Sequence, residues 1–238
     1  TLKSIKAKIS NTPNYLFTAS SLEQNNLKLL AEFKSSSHEL NNQELYSVQK
    51  DSIGWITGSQ VCFCSEAFAT VDSKHQDAPA LTVLGAVLRN GYLHSAIREK
   101  GGAYGSGASQ DSYNRVFKFF SYRDPKCSET FLEFKKSREW SLKNITSAQL
   151  DEGVLGVISS IDKPLSPYGE AMSDFMSELD HKKQAERLAF RSKVKECSIN
   201  DLVKVSEKYL FSNSKSAVIA GEPFESEIKS LDFKLKNI

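Results

Sequence analysis

"REKGGAYGSGASQDSYNRVFKFFSYRDP", Arg98 to Pro125, decides how this chain is read. A helical pattern runs into it from the N-terminal side. Asp77 with Pro79 opens that helix, and Leu81, Leu84, Leu88 and later Ile97 share one of its sides. Arg98 and Lys100 stand in its last turn, where cations suit the negative end of the helix dipole. Gly101 and Gly102 stop it. "AYGSGAS" and "RVFKFFSY" then read as a strand pair joined by the turn-prone "QDSYN". A hairpin beside long helices is not the strict alternation of a parallel sheet, so the fold class is α+β.

The flanking segments extend this pattern. "WITGSQVCFCSEAFATV", Trp55 to Val71, offers two short strands around Gly58. Asp124 followed by Pro125 reads as an N-cap with proline at the first helical position, and the helix carries Phe131, Phe134 and Trp140. Thr146 answered by Gln149 is a capping box, followed by Leu150, Val154, Val157, Ile158 and Ile161 at helical period. "DKPLSP" breaks that helix. Ser166 with Pro167 starts another, bearing Met172, Phe175, Met176 and Leu179, and more helix follows through Val194. Ser198 with Asp201 caps the last clear helix, and Lys215 to Gly221 is expected to be the final strand. The sum is a two-layer domain: a mostly antiparallel or mixed sheet with helices on one face.

Near the N-terminus, Asn14 to Ser20 is strand-like. A helix capped at Ser20 or Ser21 follows, with Leu22, Leu29, Leu30 and Phe33 in its apolar stripe, and Ser35 to Gln43 is loop-like. "NYLFTASSLEQNNLKLLAEF" is echoed by "SAVIAGEPFESEIKSLDF", each a strand, a small residue and an acidic amphipathic segment. Two similar endings suggest tandem domains, with residues 1–42 the tail of the first and 43–238 the second. The opening "TLKSIKAKIS" fits a chain cut from a longer polypeptide.

Composition narrows the function classes. The 238 residues are 39% hydrophobic and 25% charged, as in an ordinary globular protein. The net charge is +2, and the most basic run, Lys182 to Lys195, reads as a solvated helix face, so nothing supports a nucleic-acid partner. No apolar run approaches the ~18 residues of a membrane span. Cys62 and Cys64 flank Phe63 and would share one sheet face; with Cys127 and Cys197 they form no zinc-knuckle spacing and read as free thiols suited to a reducing compartment. His38, His75, His94 and His181 form no HExxH or HxxEH, and no Gly-x-Ser-x-Gly elbow or phosphate loop occurs.

Arg98 and Tyr104 remain. An arginine at a helix end can present its fork of donors to a carbonyl or carboxylate, and glycines around a tyrosine leave its hydroxyl free to reach outward. Both donors could meet one ligand. Spacing alone favours the plainer reading: a helix C-cap, a glycine-lined strand and a tyrosine filling a gap. Ser121, Arg123 and Asp124 read as the end of a strand and the capping of a helix.

"YLHSAIREKGGAYGSGA", then "FKFFSYRDP", then "VISSIDKPLSP", together resemble the C-terminal domain of the pitrilysin-type zinc metallopeptidases, in the presequence-protease branch. "AERLAFRSKVKECSINDLVKVSEKYL", with Arg191 ahead of the capped helix, is similar to that family's closing segment. The likeness runs from about Ala78 to Gly221. It implies the fourth of four related domains arranged as two halves around a chamber, with the inverted zinc motif in the first domain and no metal in this one. It further implies that Arg98 and Tyr104, with Gly101 and Gly102 between them, reach the bound peptide near the scissile bond and stabilise the developing oxyanion. The implied partners are the N-terminal half of the same polypeptide and unfolded oligopeptides, without nucleic acid or membrane. The chain alone is expected to fold, to bind no stoichiometric zinc and to cleave no peptide. The same fold also serves as non-catalytic subunits, including core proteins of respiratory complexes, which is the alternative.

Overall fold

The computed structural model describes residues 1–10, 51–179 and 183–237. The expected strand and helix between Asn14 and Phe33, the loop after them and the first half of the internal echo lie outside the described residues. The chain divides into two compact units, Thr1–Glu44 with Pro164–Gln184, and Leu45–Lys163 with Ala185–Ile238. In the first unit, α1 (Leu2–Ser10) is described, and α5 is Pro167–Leu179. Ser166 opens α5 as expected, its Oγ accepting the Gly169 N–H at 3.2 Å.

The second unit carries the sheet. β1 (Ile53–Thr57), β2 (Cys62–Ala69), β3 (Gly105–Asp111), β4 (Val116–Asp124), β5 (Ser214–Gly221) and β6 (Lys234–Asn237) lie in the order β3-β4-β2-β5-β1-β6. The β3–β4, β4–β2 and β2–β5 pairs are antiparallel, whereas β1 runs parallel to both β5 and β6. The sheet is therefore mixed. One expectation is corrected: β5 is not the last strand. After it come a 3₁₀ turn (Glu222–Phe224), the short α8 (Glu225–Ser230) and β6, whose lysine-rich sequence carries too little apolar pattern to announce a strand.

Helices cover one face. α2 (Ala78–Leu88) is the most deeply set, with Leu81, Leu84 and Leu88 fully buried. Its Gly85 lies so close to β3 that a Cβ there would stand 3.0 Å from the Ser109 Cα. Against α2 pack α4 (Ser147–Ile161) and α7 (Ile199–Leu210), while α3 (Ser128–Ser141) packs against α7 and β2. α6 (Gln184–Lys195) buries Val194. The rings of Phe68, Phe117, Phe119 and Phe134 are wholly buried, with Phe68 and Phe119 edge-on at 6.0 Å. One ion pair is sealed into this layer. The Glu66 carboxylate lies 3.8 Å from an Arg138 terminal nitrogen, and Arg138 also donates to the Leu210 carbonyl at 3.0 Å and covers the Phe68 ring. Both capping boxes are present, Thr146 with Gln149 and Ser198 with Asp201. Among the described residues no helix is long and apolar enough to cross a membrane.

Two helix boundaries differ from the sequence reading. The helix leading to Arg98 is not one α-helix: α2 ends at Leu88 and a π-helix spans Arg89–Glu99. Leucine spacing cannot separate the two, because Leu93 and Ile97 still point inward from the wider turn. α3 begins at Ser128 and not at Pro125. The Asp124 carboxylate accepts the Lys126 N–H at 2.9 Å and the Thr130 hydroxyl at 2.7 Å, which builds a bonded turn ahead of the helix.

Candidate functional site

The β3–β4 hairpin positions the site. Alternation along β4 sends Phe117, Phe119 and Ser121 under the helices and Lys118, Phe120 and Tyr122 to the other face. On that second face Gly105 pairs with Tyr122 and Gly107 with Phe120. A Cβ on Gly105 would meet the Tyr122 ring at 2.4 Å, and one on Gly107 would meet the Phe120 ring at 2.8 Å. Each strand glycine is thus the seat of an aromatic ring from the neighbouring strand. Phe63 and Ile219, paired across β2 and β5, continue this face and are exposed.

Tyr104 stands at the start of β3, and its side chain is 62% exposed. Its ring lies 5.6 Å from that of Tyr122, and the Arg123 guanidinium sits over it at 5.7 Å from the ring centre. The Tyr104 N–H donates to the Arg123 carbonyl at 3.3 Å. Arg98 is exposed at the last turn of the π-helix, 3.3 Å from the His94 ring nitrogen. The structure does not bring Arg98 and Tyr104 into contact with each other: among the described residues, Arg98 meets His94, and Tyr104 meets Tyr122 and Arg123.

Gly101 and Gly102 set the turn between them. The Gly102 N–H donates to the Arg98 carbonyl at 3.0 Å, nested inside a bond from the Ala103 N–H to the Ile97 carbonyl at 3.1 Å. Gly102 has φ +85°, the left-handed value that glycine adopts without penalty at a helix end. Gly101 borders a cleft of about 460 Å³ between the π-helix and α3, lined also by Tyr92, Lys100, Lys126 and Glu133. There Tyr92 donates to Glu133 at 2.8 Å. Burial and this bond push the Tyr92 hydroxyl up, while the bonds from Lys136 and Tyr92 hold the Glu133 carboxyl down against its own burial.

Other side chains singled out from the sequence are structural. Asp162 and Arg191 form a forked pair, with Arg191 Nε 2.8 Å from one carboxylate oxygen and 3.0 Å from the other. That hydrogen bonding holds the Asp162 carboxyl below its usual range. The two resembling segments that contain them are thereby tied to each other. Cys62, Cys64 and Cys127 are buried free thiols and Cys197 is half-buried. Hydrogen bonding to Cys127, then burial, pushes the Cys62 and Cys64 thiols up. Burial raises Cys197 to about 12. Among the described residues no group of three or more His, Cys, Asp or Glu side chains is placed to hold a metal ion. The described residues therefore do not fit a resident zinc.

Sequence reasoning gave no functional weight to Tyr122 or Arg123, the two groups that touch Tyr104. Among the described residues Arg123 is one of three non-glycine residues with positive φ, at +48°, and nothing in its residue type announces that.

Residues 53–220 match the family described as the PreP C-terminal domain, and the chain belongs to it. A mitochondrial presequence protease from Saccharomyces cerevisiae is 35% identical over 182 residues, which cover 75% of this chain and 18% of that protein. The chain thus spans less than a fifth of that relative's length. Among solved structures, a peptidase M16 inactive domain from Pseudomonas fluorescens aligns with a TM-score of 0.60 at 18% identity, covering 76% of this chain and 46% of that one. Pitrilysin aligns with a TM-score of 0.55 at 15% identity, covering 77% of this chain and 21% of that one. These last two likenesses show the fold: the chain has the architecture of an M16 peptidase domain.

Proposed function

We propose that this chain is the non-metal C-terminal domain of a zinc endopeptidase that degrades oligopeptides, and that Arg98 and Tyr104 are its contribution to the reaction. The family and the protease names of its relatives support the class. Residues 1–42 are the tail of a preceding domain, residues 43–238 the fourth domain, and the N-terminal half of the polypeptide is the partner that encloses the peptide. The zinc would be held by that half, and the chemistry it would supply there is activation of the attacking water.

The observation that carries the reading is Tyr104 itself: an exposed phenol on the sheet face opposite the helices, with a second aromatic ring tilted against it and a cation over its own ring. A tyrosine that merely filled a gap would be enclosed by its neighbours. The exposed Phe63 and Ile219 make that face apolar enough to border an unfolded peptide. Arg98 binds peptide carbonyls through charge-assisted bonds that exist before the chemistry begins. Tyr104 donates to the oxyanion as it develops. Gly101 and Gly102 set the turn that separates the two donors and let a peptide backbone approach.

The test is peptide hydrolysis by the full-length polypeptide carrying Arg98→Ala. KM for a long peptide should rise about tenfold, as expected for one lost charge-assisted contact. Zinc content and melting temperature should stay as in the parent. A normal KM, or a full-length polypeptide without peptidase activity or zinc, would favour the structural-subunit alternative.

A further inference from the structure

Arg123 breaks the rule that governs the rest of β4. The pairing Cys64↔Ser121 is followed by Cys62↔Asp124, so Tyr122 and Arg123 together stand opposite the single residue Phe63. This is a β-bulge, the device that re-aims side chains at strand ends. Simple alternation would send Arg123 under the helices beside Ser121. Its φ of +48° turns it out instead, onto the same side as Tyr122. The cost of a left-handed arginine is sustained by the next residue: Asp124 is fully buried and fixed by Lys126 and Thr130. Among the described residues no carboxylate pairs with the Arg123 guanidinium. Its neighbour is the Tyr104 ring at 5.7 Å, and its carbonyl takes the Tyr104 N–H at 3.3 Å.

We propose that Arg123 is a positioning residue for Tyr104: the bulge turns its guanidinium onto the ring and its carbonyl onto the backbone, so that the exposed phenol is held in one orientation. This rests on the role given to Tyr104 above. A ring held only by Tyr122 could swing about χ1, and a misplaced donor forfeits much of its value in the transition state.

The experiment uses the full-length, zinc-loaded polypeptide and a long peptide. Glycine adopts the left-handed conformation freely, so Arg123→Gly removes the guanidinium without harming the turn. The expected result is a kcat lower by about 3- to 10-fold with little change in KM and a melting temperature equal to or above the parent's. Arg123→Lys should recover part of the loss, because an ammonium also binds a ring face. In a Tyr104→Phe background, Arg123→Gly should change kcat by less than about 2-fold, the signature of a residue that acts through Tyr104. Two results overturn the proposal while leaving Tyr104 its role. One is parent-like kcat in Arg123→Gly when Tyr104→Phe alone is impaired. The other is a full multiplicative loss in the double variant, which would mean that Arg123 acts independently. Parent-like turnover in Tyr104→Phe would instead remove the reading on which the proposal stands, and the proposal with it.

Discussion

Phe119 and Tyr122 belong to the same strand and face opposite layers. Phe119 is wholly buried among Phe68, Phe117 and Phe134, each ring within 6.0 Å of it. Tyr122 is 39% exposed, seated on Gly105 and leaning on a still more exposed tyrosine. On the helix-covered face, aromatic area is removed from water by the protein's own layers. On the other face it is left for something else to cover. Stability should therefore reside in one face and function in the other, and substitutions on the two faces should separate the two properties.

The largest effect on stability should come from the covered face. Phe119→Ala should cost about 3–5 kcal/mol of unfolding free energy, because it deletes a fully buried ring and leaves a cavity. Denaturant titration of the chain would show it as a lower midpoint. A cost below about 1 kcal/mol would mean that the two faces are not as unequal as their burial.

A smaller effect should come from the helix layer. Asp77 accepts from Lys208 at 2.7 Å and Tyr209 at 2.8 Å, and despite partial burial these bonds hold its carboxyl below the usual value of 3.8. Because the folded value is depressed, the contribution is present above the unfolded value and is lost as pH falls through the folded one. Asp77→Asn should cost about 1–2 kcal/mol at pH 7, discounted for the exposure of Lys208, and the gap from the parent should close below about pH 4. A gap that persists at low pH would assign the loss to packing and not to charge.

The smallest effect on stability, with a disproportionate effect on turnover, should follow a change at the seat of Tyr122. In Gly105→Ala the new methyl would meet the Tyr122 ring at 2.4 Å, so the ring must shift outward against Tyr104. Melting should move by only a few degrees, about 1 kcal/mol, while kcat of the full-length polypeptide should fall about 3- to 10-fold. An unchanged kcat would show that Tyr104 does not depend on the ring beneath it.

The same contrast explains what was legible in the sequence. The covered face is written in short-range periodicity: leucines at helical spacing in α2, alternating phenylalanines in β4, and capping residues at Thr146 and Ser198. Those signals give the α+β class and most elements, because each depends only on near neighbours in the chain. Arg98, Gly101, Gly102 and Tyr104 are visible as a local anomaly. Their surroundings are not visible, because these are made by register. That Tyr122 lies on Gly105, and that the bulge turns Arg123 toward Tyr104, follows from how β2, β3 and β4 align, which no single segment encodes. The π-helix escaped for a related reason, since the inward positions Leu93 and Ile97 suit either helix. β6 escaped because it is short and charged.

The central claim is that Tyr104 acts on the transition state of a reaction whose metal lies elsewhere in the polypeptide. Steady-state kinetics of Tyr104→Phe in the full-length, zinc-loaded form tests it most directly, with a long peptide well below the melting temperature. Loss of one oxyanion donor should lower kcat and kcat/KM together by about 100- to 1000-fold, at unchanged zinc content and melting temperature. Parent-like kcat in a folded, zinc-loaded Tyr104→Phe enzyme would contradict it, and Tyr104 would then be no more than the exposed end of an aromatic stack.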